Sequence, residues 1–317
     1  MESHTQAEGS AGDGMSMADL AKVGDARTIG DLEIVISELA AYKRDPEFIA
    51  YGLATEVLRF FMNNDWTNQH VCDIHKEVPR SRREGRSVLF TDSQGDPTTH
   101  HKHKQKVLQL AECLYNFQDI LGINHRVRML QSENLETAMG ELVCARLLGD
   151  RDFKLEFIVP SGVKGRDYEA EFSTSAGERI CAEIKTKKAT TALGQKTVLN
   201  TFETARKQFP KGSPGVVLLK IPEHWADKKR IGMEIVGAVE KAFAKTKRIV
   251  GTVIVWDQWA TKGDVLVYGL RYKPFINWGS PLASDALADA FNRLGVKNND
   301  FYISFRHTVY YALTNLD

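Results

Sequence analysis

The segment Arg179-Ile180-Cys181-Ala182-Glu183-Ile184-Lys185 alternates residue by residue, the pattern of a strand. Arg179, Cys181, Glu183 and Lys185 then share one face, and Ile180, Ala182 and Ile184 the other. A carboxylate and an ammonium therefore stand two residues apart on a buried strand. Upstream, Asp167, Glu169 and Glu171 share one face of a second alternating run over 167–172, opposite Tyr168, Ala170 and Phe172. Paired as a hairpin, the two strands would bring Asp167 to within about 5 Å of Glu183. Close carboxylates repel unless a cation lies between them, and hard oxygen ligands in a half-open site favour Mg2+ or Mn2+. Such an ion neutralises a phosphodiester and lowers the pKa of water, while Lys185 orients or deprotonates the attacking water. The chemistry this set suits is phosphodiester hydrolysis.

The neighbouring elements must position these groups. A helix is predicted over 134–148, behind Ser132 as cap, with Leu135, Met139, Leu142, Val143 and Leu147 as its buried stripe. Glu136 and Glu141 flank that stripe on opposite sides, so one of them can turn toward the site. A first strand runs from Phe153 to Val159, PSGVKG is a turn, and the two acidic strands follow. Next come a helix over 197–209, a buried strand GVVLLKI at 215–221, a helix over 234–244 and a buried strand GTVIVW at 251–256. Continuous apolar runs of this kind suit central strands covered by helices on both faces. Ser280-Pro281 opens a last helix ending at Gly295, and 301–313 reads as a terminal strand or hairpin. The order predicts an α/β fold with a mixed sheet.

Helix with glutamate, strand, Gly165-Arg166-Asp167-Tyr168-Glu169 and Cys181-Ala182-Glu183-Ile184-Lys185 together resemble the core of the PD-(D/E)XK nuclease superfamily, over residues 131 to 260. The resemblance implies a restriction endonuclease-like mixed β-sheet flanked by helices. By that likeness Asp167 and Glu183 bind the metal, Lys185 serves the water and Glu141 is the helix acid, with Glu136 and Glu169 as assisting acids. Gln208, in Ala205-Arg206-Lys207-Gln208, resembles the glutamine or lysine that members carry on the next helix. Arg166 stands where the family name has proline. The bare (D/E)xK spacing is common, and Asp152-Phe153-Lys154 and Asp227-Lys228-Lys229 match it too. Glu183 alone combines a buried strand, an upstream strand acid and a preceding helix glutamate.

With 317 residues and 43% apolar composition the chain can bury a large core, and we divide it into a disordered tail (1–27), a mainly helical region (28–130) and a nuclease domain (131–317). The helical region holds two amphipathic helices over 29–61 broken at Asp45-Pro46, and another over 104–120. A net charge of +1 hides two basic zones, 76–106 and 185–211. Arg82, Arg83, Arg86, Lys102, Lys104, Lys187 and Lys188 are the candidates for phosphate contacts, with DNA expected before RNA as the partner. A homodimer is compatible with this reading. The alternative is an inactive nuclease fold serving as a nucleic-acid-binding or scaffolding subunit.

Other chemistries find little support. Four dispersed cysteines without a CxxC pair give neither a zinc ribbon nor a disulfide framework. His100-His101-Lys102-His103 reads as a solvated loop, and His70, Cys72 and His75 lack a closing ligand segment. No GxxxxGK(S/T) occurs, so a nucleotide-driven motor would be a separate subunit. No signal peptide or apolar span is present, which leads us to expect a cytoplasmic protein.

Overall fold

The computed structural model describes residues 29–43, 45–72, 97–131, 135–149, 154–163, 165–188, 190–226, 231–262, 265–294 and 302–314. The expected tail, the Ser132 cap, Arg82, Arg83, Arg86 and the competing Asp152 and Asp227 lie outside these residues. Asp45 caps the second helix by accepting from the Phe48 amide (3.0 Å), with Pro46 at the first helical position. This breaks the amino-terminal segment into α1 (Ile29–Tyr42) and α2 (Pro46–Met62). A short helix α3 (Asn64–Thr67) runs into one π-turn, and α4 (Pro97–Phe117), α5 (Ile123–Gln131) and α6 (Leu135–Gly149) follow. The helix α4 begins earlier than its apolar stripe suggests. The His100–His103 tract is therefore helical rather than a loop, with His103 buried and its Nε2 against Tyr51 Oη at 3.0 Å.

The chain then forms β1 (Lys154–Phe157), β2 (Ala170–Ser173), β3 (Arg179–Thr186), α7 (Gln195–Gln208), β4 (Gly215–Ile221), α8 (Glu223–Ala226), α9 (Ile231–Lys245), β5 (Ile249–Lys262) and β6 (Val265–Ile276). The six strands lie side by side in chain order. β1, β2 and β3 form an antiparallel meander, β3, β4 and β5 are parallel, and β6 returns antiparallel. This is an α/β protein with a mixed sheet. Helices cross over between the parallel strands, as parallel pairing demands.

Two apolar clusters line the sheet. On one face Ile180, Ala182 and Ile184 of β3, with Val216 and Leu218 of β4, pack under α4 and α6, and one continuous core extends from there through α2 to α1. On the other face Cys181 of β3 and Val217 and Leu219 of β4 pack against α7 and α9 through Val198, Phe202, Ile235 and Val239. The expected alternation of β3 is thus realised. The amino-terminal helices and the sheet share their core, and the division at residue 130 marks no break in it.

Three expected elements differ. β5 reaches Lys262, beyond the apolar run, and pairs along its length with β6, whose mixed composition hid it. The carboxyl-terminal 301–313 is not a strand or hairpin: α11 (Phe305–Thr314) buries Phe305 and Val309, one helical turn apart, in the amino-terminal core. The helix expected from Ser280-Pro281 starts later, as α10 (Asp285–Arg293), because Ser284 Oγ accepts from the Leu287 amide. Among the described residues no helix is long and apolar enough to cross a membrane.

Candidate active site

β2 is shorter than its alternation predicts, which decides which acid meets Glu183. The last pair of the β2/β3 ladder is Ala170↔Ala182, and counting on from it Glu169, not Asp167, falls opposite Glu183. Asp167 lies in the preceding turn, where its carboxylate accepts from the Ser161 amide (2.8 Å) and hydroxyl (2.9 Å). Gly162 and Gly165 hold φ of 73° and 83° there, a region open to glycine, so the backbone leaves the extended path before reaching Asp167. Tyr168 swings with it and donates to Glu171 at 3.0 Å, on the face it was expected to oppose. No hydrogen bond or ion pair joins Asp167 to Glu183 or Lys185.

Glu169 takes the place opposite. Its Oε2 accepts from the Ile184 amide (3.1 Å), filling the ladder position that β2 vacates, and its Oε1 lies 3.3 Å from Lys185 Nζ. Lys185 also lies against Glu183 Oε1. Burial alone would favour the neutral amine, but Glu169 and Glu183 outweigh it and raise the Lys185 pKa above its ordinary value. Lys185 is therefore an ammonium at neutral pH.

Glu183 is wholly buried, at 0% exposure. Its contact with Lys185 is off hydrogen-bonding geometry, so neither carboxylate oxygen has a donor aimed at it. Glu169 beside it can offer one only by holding a proton. Desolvation first, and then the neighbouring Glu169, push the Glu183 carboxyl far above the usual carboxylate range. A buried carboxylate whose one cationic partner is shared with a second acid, and whose oxygens make no well-formed hydrogen bond, is costly to keep charged. Two adjacent carboxylate side chains are the ligand set that a divalent cation takes.

Glu141 stands behind this pair. Its Oε2 meets Arg126 Nη1 at 2.5 Å, both side chains are buried, and Arg126 Nη2 donates to the Glu169 carbonyl at 2.6 Å. Burial pushes the Glu141 carboxyl up to about 7 against the pull of Arg126, with Glu169 adding to the rise. α6 can bring Glu141 so close because it touches β3 at Gly140, where a Cβ would sit 2.3 Å from Thr186 Oγ1. The two helix acids are thereby separated: Glu141 faces Arg126 and Glu169, and Glu136 lines a cavity on the other side of α6. Arg126 went unforeseen, since a lone arginine in Asn124-His125-Arg126-Val127 carries no motif.

The remaining candidates spread out. Gln208, the last residue of α7, is half-buried and makes no hydrogen bond to the acids. Lys187 lines the same cavity as Glu136, Lys188 is exposed just beyond β3, and Lys104 is half-buried on α4. Lys102 pairs with Glu223 at 3.3 Å and lies over the Trp259 ring.

Oxygen donors without nitrogen or sulfur suit Mg2+ or Mn2+ better than zinc. Among the described residues no group of three or more histidine, cysteine or carboxylate side chains is gathered as a cation cage. Glu169 and Glu183 are the two that fit, through the orphaned Glu183 oxygens, and magnesium characteristically takes one or two carboxylates with water and phosphate supplying the rest. In comparisons with known proteins no family model matches this chain, and no curated protein matches it in sequence.

Proposed function

We propose that this chain is a divalent-metal-dependent endonuclease with a restriction endonuclease-like fold, hydrolysing phosphodiester bonds, with DNA as the substrate. The observation that carries the reading is Glu183: fully buried, without a hydrogen-bond donor, and set beside Glu169 and Lys185 at the sheet's end. A protein that only needed a stable sheet would gain by placing an apolar residue there. The cost is explained if the carboxylate is kept for a ligand.

Glu169 and Glu183 would hold Mg2+ or Mn2+, which when bound neutralises phosphate charge and acidifies water. Lys185, held protonated by the same two acids, acts as a fixed cation that orients the attacking water and offsets charge developing on the phosphoryl oxygens. Arg126 positions Glu169 by donating to its carbonyl from behind, and Glu141 holds Arg126 in place. The acid pair thus binds, the lysine stabilises, and the buried arginine and glutamate keep both in place.

The test is cleavage of linear, nicked, branched and single-stranded DNA, with matched RNA, in magnesium, manganese and chelator. Metal-dependent cutting of DNA in preference to RNA is expected. Binding of DNA without cutting under every condition would instead favour a scaffolding subunit.

A further inference from the structure

The other face of the same sheet end holds a second feature. A cavity of about 400 Å³ opens between α4, α6 and the carboxyl ends of β3, β4 and β5. At about 30 Å³ per water it could hold a dozen waters, and it falls within the size range of small-molecule sites. Its place beyond the carboxyl ends of parallel strands is where α/β sheets characteristically take ligands.

Among the described residues, four lysines and three carboxylates line it. Lys220 is matched to Asp257 by an ion pair, and Lys102 to Glu223. Lys106 and Lys187 face the cavity and make no ion pair or hydrogen bond through their ammonium groups, with Glu136 the one described carboxylate left on the lining. Burial lowers the pKa of both, so a charged ammonium at either position is costly unless an anion meets it. An anion entering between them removes that cost. Met139 and Val143 from α6 and Trp259 from β5 give the lining its apolar and aromatic surface, while Gln109, Thr186 and His224 add uncharged polar groups to it. Trp259 is half-buried, with Tyr268 behind it at 4.9 Å between ring centroids. A ligand suited to these walls has an anionic group at one end and a flat or apolar body at the other.

We infer that this cavity binds a nucleoside phosphate, its phosphate between Lys106 and Lys187 and its base toward Trp259. The site goes beyond the proposed cleavage centre and does not depend on it. The same chemistry is presented by a free nucleotide and by the phosphorylated end of a nucleic acid, and the two are separated by affinity.

The experiment is calorimetric titration of the full chain in chelator, which prevents any cleavage. The probes are thymidine 5′-monophosphate, thymidine, inorganic phosphate, and one oligodeoxynucleotide with and without a 5′-phosphate. The monophosphate is expected to bind, and to bind at least about tenfold more tightly than thymidine or inorganic phosphate. Lys106→Met and Lys187→Met should each weaken it about tenfold, one charge-assisted contact being worth about that much, while Glu183→Gln leaves it unchanged. Circular dichroism and thermal melting establish that both lysine variants fold, and Lys187→Met, beyond the end of β3, is the safer of the two. An oligonucleotide bound about tenfold more tightly with its 5′-phosphate than without, and more tightly than the monophosphate, assigns the site to a nucleic-acid end. Equal affinities for monophosphate and phosphorylated oligonucleotide assign it to a free nucleotide. Absence of monophosphate binding, or binding that both lysine variants leave intact, overturns the proposal. Failure here leaves metal-dependent cleavage untouched, and failure of cleavage leaves this binding measurable.

Discussion

Two lysine–carboxylate pairs sit at neighbouring strand ends and behave oppositely. On one face Lys220 of β4 meets Asp257 of β5, and the second Asp257 oxygen accepts from Tyr268 Oη at 2.7 Å, which in turn accepts from Gln109 at 2.7 Å. Burial opposes ionisation of Asp257 as well, but Lys220 and the Tyr268 hydroxyl outweigh it and hold the carboxyl below its ordinary value. On the other face Lys185 meets Glu183, but it is shared with Glu169, and a second acid stands where Asp257 has a second donor; burial and that acid raise the Glu183 pKa. The difference lies in what completes the shell around the acid. A satisfied pair contributes to the fold; under the proposed function the other is kept for a metal ion. The nearness of opposite charges does not by itself tell the two apart.

Exchanging each acid for its amide should break this comparison most sharply. Glu183→Gln is expected to lower cleavage at least about a thousandfold, yet to raise stability in chelator by roughly 1 to 3 kcal/mol, since glutamine imitates the protonated form the site prefers. Asp257→Asn should do the reverse in stability, losing about 2 kcal/mol by stranding Lys220, with far smaller loss of cutting. Urea denaturation beside a cleavage assay reads both, and stability shifts of the same sign would undo the distinction.

A second pair of variants sharpens the assignment of the strand acid. Glu169→Gln should cost on the order of a hundredfold in cleavage, whereas Asp167→Asn should stay within a few-fold of the parent and lose about 1 kcal/mol of stability with its turn. If Asp167→Asn cut as poorly as Glu169→Gln, the acid pairing read from the β2/β3 register would be wrong.

A further effect, on stability alone, is a slope with pH. Glu141 is protonated more readily folded than unfolded, so between the ordinary glutamate value and about 7 the native state binds more protons. Stability in chelator should therefore be greatest at the acid end of this window and fall by up to about 2 kcal/mol as pH rises through 7. Denaturation midpoints from pH 4.5 to 8 read this, and Glu141→Gln should flatten its share of the slope. An unchanged slope would place the titration elsewhere.

Much of this could be read in the sequence. The strand alternation of 179–185 put Glu183 and Lys185 on one face because side chains on extended backbone alternate without help from distant contacts. The apolar runs at 215–221 and 251–256 announced central strands for the same local reason. The extent of β2 could not be read this way, because the turn glycines and the Ser161 contact to Asp167 shortened the strand and left Glu169, not Asp167, opposite Glu183. Nor could β6, whose mixed composition, with Gly269 and Pro274 inside it, breaks the strand signal.

The sequence by itself determined the alternation of β3, the residue types on its two faces and the helix that precedes the strands, since each follows from local periodicity and residue type. Tertiary packing alone decided which acid faces Glu183, that Arg126 from α5 grips both Glu141 and Glu169, and that Lys106 and Lys187 face one cavity. Those outcomes join segments far apart in the chain, and no local pattern records which distant side chain will complete, or leave incomplete, the shell around a buried charge.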